Sequence, residues 1–310
     1  CSNFSYPVIY LYDKVLNWFW NSRYEGLFSI GLDQIKKLAA ENTIIYAPSH
    51  RSHIDYLALS HQLYLNNLMM PQIVAGKNLN LPIIGPILRN GGAFFMRRSF
   101  GNNKLYSRVF YEHLRKLLQR GSSIEFFPEG GRSRSGRLLP PRPGIISMII
   151  RAFQDMDEKP VKFVPISMNY EKVLEGNSYH KEVMGDTKKK ESLRSIFRVA
   201  RDFRGYLGNA YLQIGEPIDL KEFLDTNFEN WTDNIISEEL DNSPNQKWLY
   251  DLTPLLGKQI MKNINKATVV TPSALFASAI LNANKFSLSK EKLKERISLY
   301  TNLILSLIHI

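Results

Sequence analysis

Apolar residues at helical spacing open the chain. Val15, Trp18, Phe19, Leu27, Ile30, Leu32, Ile35 and Leu38 form a broad stripe, which predicts helix over residues 8–42. The pattern then changes. Thr43-Ile44-Ile45-Tyr46-Ala47 is a short, β-branched apolar run ending at Pro48, the mark of a strand buried on both faces. Residues 94–96, 123–127, 161–168 and 210–214 repeat it, each stopped by arginine, proline or a glycine-rich turn. Between them lie helical patterns. The clearest covers residues 104–119, where Leu105, Val109, Phe110, Leu114, Leu117 and Leu118 share a face and Gly121 ends the run. Alternating strands and helices predict an α/β fold with a mostly parallel sheet flanked by helices.

After Pro217 the character shifts again. Residues 228–244 are polar and acidic, as in a linker, and the remainder to residue 300 has helical periodicity, with Thr271-Pro272 a good helix start. The expected organisation is a helical lead-in over 1–42, an α/β domain over 43–227, and a linker with a C-terminal helical region over 228–310.

Composition narrows the options. At 310 residues, 44% hydrophobic and 22% charged, the chain is an ordinary globular sequence, with neither repeats nor low-complexity tracts. A single cysteine, Cys1, cannot form an intrachain disulfide. The first residue is not methionine and the last eight end in an apolar run, so the sequence reads as a piece of a longer protein. A net charge of +11 favours polyanions, anionic membrane or anionic substrates. No uncharged apolar stretch reaches the roughly 18 residues of a spanning helix, so membrane contact would be interfacial. Trp18-Phe19-Trp20, near Lys14 and Arg23, suits either a headgroup-level anchor or core packing.

Two runs carry the chemistry. The first, His50-Arg51-Ser52-His53-Ile54-Asp55, follows the first strand. On a continuous helix five residues put side chains about 140° apart, so His50 and Asp55 meet only across a turn. With Ser52 capping a helix that starts at His53, Asp55 reaches back to one imidazole nitrogen and leaves the other to take a proton. The same letters also match a capping box, in which His50 is an ordinary loop histidine. A metal held by His50 and His53 lacks further ligands, so no metal is expected.

In the second run, Phe127-Pro128-Glu129-Gly130-Gly131-Arg132-Ser133-Arg134, a strand enters a glycine turn. Arg132 and Arg134 can there offer paired hydrogen bonds to a phosphate, and Ser133 a hydroxyl. Glu129 is odd company for an anion unless it orients an arginine or a substrate hydroxyl. Residues 91–98 repeat the logic, delivering Arg97 and Arg98 to the end of an apolar strand. A solvated basic loop explains the same letters; nucleic-acid binding is not expected, since no recognised binding motif is present.

The runs at 50–57, 92–100, 127–136 and 164–173 resemble, in order, the four blocks of the glycerol-phosphate acyltransferase superfamily, most closely its bacterial membrane-bound glycerol-3-phosphate acyltransferases. Similarity continues through 75–80, 188–193, 215–217 and 264–267, and so covers nearly the whole chain. The resemblance implies a glycerolphosphate acyltransferase-like fold and transfer of a fatty acyl group to the 1-hydroxyl of glycerol 3-phosphate, the first step of phospholipid biosynthesis. It implies His50 as general base and Asp55 as its orienter. Arg97, Arg98, Glu129, Gly130, Arg132, Ser133 and Arg134 fall on substrate-binding positions, and Pro165 on the block tied to the acyl donor. Coenzyme A or acyl carrier protein thioesters would be co-substrates, with no resident cofactor. The implied location is the cytoplasmic face of the bacterial inner membrane, peripheral or monotopic, against an anionic surface. Gly-Gly-Arg-Ser-Arg favours glycerol 3-phosphate over lysophosphatidate; dihydroxyacetone phosphate or lysophosphatidate as acceptor, and a non-catalytic basic membrane binder, remain alternatives. Pro128 and Lys77 depart from the family pattern, where Val and an apolar residue are usual.

Overall fold

The computed structural model describes residues 2–82, 84–97, 103–154, 159–176, 179–180, 205–229, 231, 247–283 and 286–308. Its strands are β1 (Gly26–Ile30), β2 (Thr43–Pro48), β3 (Gln72–Gly76), β4 (Ala93–Met96), β5 (Ile124–Glu125), β6 (Val161–Tyr170), β7 (Asn209–Ile214) and β8 (Ile218–Asp219). They form one eight-stranded sheet in the order β1-β7-β6-β2-β5-β3-β4, with β8 also on β6. All pairings are parallel except those of β6 with β7 and β8.

Side chains alternate across this sheet. Ile45, Ala47, Val161 and Phe163 enter one core with helices α5 (Lys104–Gln119), α6 (Pro143–Gln154) and α8 (Lys247–Lys266); α7 (Leu220–Asn227) joins them through Leu220 and Leu224. Ile44, Tyr46, Val164 and Ile166 enter the other, with α1 (Tyr6–Arg23), α2 (Leu32–Glu41), α3 (Asp55–Leu65) and α4 (Ile84–Asn90). Every residue of β2 is buried, as a central parallel strand covered on both faces requires. One compact unit runs from Cys1 to Thr268, and a second from Val269 to Ile310. In the second, α9 (Pro272–Leu281) is capped by Thr271, which accepts from the Ala274 amide at 3.2 Å, and α10 (Lys290–Ile308) supplies Arg296 to the Ala279 carbonyl.

Three local expectations change. The helical stripe over 8–42 is broken by β1, whose Phe28 stacks on Tyr211 of β7. Gly31 ends that strand at φ +86°, where an added Cβ would lie 3.1 Å from Ile214 Cβ; a periodicity count passes over such a turn. Trp18-Phe19-Trp20 divides: Phe19 and Trp20 are buried while Trp18 is 57% exposed, since successive helical side chains point about 100° apart. The region after residue 228 joins the first core through α8, whose Trp248, Leu249, Leu252, Leu256, Ile260 and Ile264 are buried. Trp231 packs there too, stacked on Phe153; residues 232–244 of the expected linker lie outside the described residues.

Candidate active site

β2 has β5 and β6 on either side, both parallel to it. The segments that follow these three strands therefore leave the same, carboxyl end of the sheet and converge, at the end where open α/β sheets bind ligands.

The turn after β2 is built on Asp55. Helix α3 begins at Asp55 rather than His53, and no side chain caps it. Ser52 is not the cap: its hydroxyl donates to Glu175 Oε2 at 2.8 Å. Asp55, fully buried, accepts at Oδ2 from the amides of Arg51 (2.7 Å) and Ser52 (2.9 Å) and lies 2.9 Å from His50 Nδ1. Tyr170 donates its hydroxyl to Oδ1 at 2.6 Å, and burial together with the Asp55 charge pushes that phenol far above its ordinary pKa. A carboxylate only accepts, so in the neutral ring Nδ1 is the protonated nitrogen and Nε2 carries the lone pair. The ring stacks on Phe127 with centroids 4.0 Å apart, and its side chain is 15% exposed. Capping-type amide bonds and the base–carboxylate pair coexist in one turn.

The loop after β5 is stapled to that turn through the main chain. The His50 amide donates to Glu129 Oε1 at 2.8 Å, and the Ser133 amide donates to the His50 carbonyl at 2.8 Å. Glu129 Oε2 accepts from the Leu139 amide at 2.7 Å, closing the far side of the loop. A carboxylate among cations thus has a structural cause. Burial raises the Glu129 pKa, and the two amides oppose the rise. Gly130 sits at φ +63°, where a Cβ would come within 2.8 Å of Arg142 Cγ. The Ser133 hydroxyl, expected to face a phosphate, donates to the Arg137 carbonyl and closes the loop instead. Arg51 bonds the Gly136 carbonyl from the other side.

Arg132 and Arg134 share one aromatic support. Their guanidinium carbons lie 5.6 and 5.8 Å from the Tyr179 ring centroid, and Arg132 Nη1 donates to the Tyr179 hydroxyl at 2.6 Å. Arg97 stands apart. It stacks over Tyr106 at 4.6 Å after edge strand β4, three strands from β2 and so roughly 14 Å away along the sheet. Arg98 and residues 188–193 lie outside the described residues.

Pro165 lies in the interior of β6, opposite Ala47 of β2, where proline is unusual. On its other side β8 pairs only with residues 162–163 and β7 only from Ile166 onward, so the missing amide falls where the ladder is broken. The Gly215 amide donates to the Pro165 carbonyl at 2.8 Å at that break.

Tyr170, Glu175, Tyr179 and Phe127 complete the cluster and were not singled out from the sequence. The usable signal was positional: Tyr170 ends β6, and Phe127, Glu175 and Tyr179 follow β5 or β6, the strands that neighbour β2. Glu125 of β5 is also close by, fully buried with neither oxygen partnered among the described residues. Burial, and secondarily the Asp55 charge, pushes its carboxyl well above the usual range. Among the described residues no group of three or more His, Cys, Asp and Glu is arranged to hold a metal ion.

A buried carboxylate holding an imidazole beside a cationic loop, at the carboxyl end of the central strands of a mostly parallel sheet, fits an acyltransferase domain, and residues 29–169 match the family model described as Acyltransferase. Residues 179–307 match the glycerol-3-phosphate acyltransferase C-terminal region. The chain belongs to the glycerol-3-phosphate acyltransferase family. It is 44% identical over 303 residues to a glycerol-3-phosphate acyltransferase of Pseudomonas aeruginosa, a match covering 98% of this chain and 36% of that protein. The Pseudomonas fluorescens relative is 42% identical over the same shares. The chain thus spans about a third of the length of these curated relatives, 36%. A solved structure, the 1-acyl-sn-glycerophosphate (LPA) acyltransferase PlsC from Thermotoga maritima, aligns with a TM-score of 0.44 at 16% identity, over 86% of this chain and 80% of that one.

Proposed function

We propose that this chain catalyses transfer of a fatty acyl group from an acyl thioester, on acyl carrier protein or coenzyme A, to the 1-hydroxyl of sn-glycerol 3-phosphate. The products are 1-acylglycerol 3-phosphate and the free thiol. The observation that carries this reading is the direct coupling of base and cationic loop: the Ser133 amide bonds the His50 carbonyl, and Glu129 bonds the His50 amide. In the reaction His50 Nε2 removes the hydroxyl proton as that oxygen attacks the thioester carbonyl. The tetrahedral intermediate collapses, the C–S bond breaks, and the departing sulfur takes the proton from the imidazolium. Asp55 holds the ring and stabilises its cationic form. Arg132 and Arg134 grip the phosphate, and Pro165 borders the acyl-donor side.

Acceptor competition tests this. With labelled glycerol 3-phosphate and a palmitoyl thioester, labelled lysophosphatidate is the expected product. Transfer to lysophosphatidate or dihydroxyacetone phosphate with none to glycerol 3-phosphate overturns the acceptor assignment.

The same reading has the chain working peripherally or monotopically at the cytoplasmic face of a bacterial inner membrane. Support comes from α1, whose Tyr6, Tyr10, Leu11 and Trp18 are exposed beside Lys14 and Arg23, and from the net charge of +11. No helix among the described residues is long and apolar enough to cross a membrane. Trp18→Ala is expected to weaken co-sedimentation with phosphatidylglycerol vesicles by about tenfold, the order expected for one large apolar side chain, at unchanged melting temperature. Equal binding by the variant would refute an α1 contact.

A further inference from the structure

We infer that Glu175 and Tyr179 are positioning residues that lock the base-bearing turn to the cationic loop and set the grip on the acceptor's phosphate. The inference rests on the function proposed above and deepens it. Both residues are 6% exposed, and they follow β6. Glu175 takes the Ser52 hydroxyl at 2.8 Å and the His53 amide at 2.9 Å, so one carboxylate holds the middle of the turn between His50 and Asp55. Its Oε1 lies 3.6 Å from Arg132 Nη1, an ion pair that orients the cation without a short hydrogen bond.

Tyr179 makes the second link. Its hydroxyl donates to the Arg51 carbonyl at 3.1 Å and accepts from Arg132 Nη1 at 2.6 Å, using both of its hydrogen-bonding roles. The residue next to the base and the phosphate-binding arginine therefore share one oxygen. The Tyr179 ring also supports both Arg132 and Arg134. A guanidinium held at one end by a phenol, a carboxylate and an aromatic face has few rotamers left to lose when phosphate arrives. Disturbing the hold should weaken acceptor binding more than chemistry, because the contacts of Glu175 and Tyr179 run to Arg132 and to Arg51, Ser52 and His53 of the turn.

Tyr179→Phe keeps the ring and removes the shared oxygen. Calorimetry of the chain with sn-glycerol 3-phosphate should show affinity falling about tenfold, with KM rising in parallel, kcat within about twofold and thermal stability retained. Glu175→Gln, equally isosteric, provides a second variant with the same direction of effect. Because the action runs through Arg132, Tyr179→Phe should add little to Arg132→Lys in a double-mutant cycle. Unchanged affinity in both single variants, full additivity with Arg132→Lys, or a fall in kcat at constant KM would each overturn the inference while leaving the function standing. Failure of the parent chain to bind glycerol 3-phosphate would overturn both.

Discussion

His50→Ala is expected to lower kcat/KM for acyl transfer by about a thousandfold or more, within the range that a positioned base contributes and the larger range its removal can cost. The fold should survive. His50 is tied to the loop after β5 through its own amide and carbonyl, and alanine keeps both bonds. What is lost is the stack on Phe127 and one donor among those on Asp55, on the order of 1 kcal/mol. For a domain of this size that is a shift of about 2–4 °C in melting temperature. Steady-state kinetics and a thermal melt on the same preparation read both quantities. A well-folded His50→Ala chain that keeps more than about a tenth of its turnover would rule out the imidazole as the base.

Asp55 separates chemistry from folding in a pair of substitutions. Asp55→Asn can still accept from the Arg51 and Ser52 amides with one oxygen, and its amide nitrogen can donate to the Tyr170 hydroxyl, so the turn stays satisfied. The charge that stabilises the imidazolium is gone. Turnover should fall by roughly 10²–10⁴ while the melting temperature moves little. Asp55→Ala should lose activity to a similar degree and also leave the Arg51, Ser52 and Tyr170 donors orphaned in a nearly dry site, at about 1–3 kcal/mol each. Its melting temperature should drop by about 6 °C or more. Near-normal turnover in a folded Asp55→Asn chain would show that Asp55 is only a cap; equal melting temperatures for the two variants would remove its structural role.

Much of the frame was legible because it depends on local pattern. β2, β4, β6 and β7 coincide with apolar β-branched or aromatic runs, and α5 begins and ends where the 104–119 stripe does. β5 keeps only two residues in the ladder: Phe126 still donates its amide to the Tyr46 carbonyl of β2 at 3.1 Å, and Phe127 opens the turn that delivers Glu129, its carbonyl accepting from the Gly130 amide at 3.0 Å. β3, Gln72–Gly76, is weakly marked: Pro71 and Gly76 bracket it, yet Gln-Ile-Val-Ala-Gly is short and lacks strong alternation, and pairing with β4 and β5 makes it a strand.

The site divides in the same way. His50, Asp55, Arg132 and Arg134 were readable because the residue types needed for proton transfer and phosphate binding stand close together in the chain. Glu129 and Ser133 were readable as positions, yet their hydrogen bonds to the main chain show stapling that spacing does not reveal. Glu175 and Tyr179 lie more than 120 residues from the turn they brace, so no linear signal could tie them to it.

By itself the amino-acid sequence determined the α/β class, the family, and which imidazole, carboxylate and guanidinium groups are available, since periodicity and short-range chemistry are written in consecutive residues. The tertiary structure decided which of them meet. The strand order sets β5 and β6 on either side of β2 and β4 at the edge, so parallel pairing draws the loops of residues far apart in the chain around His50 and puts Arg97 over Tyr106, after the edge strand.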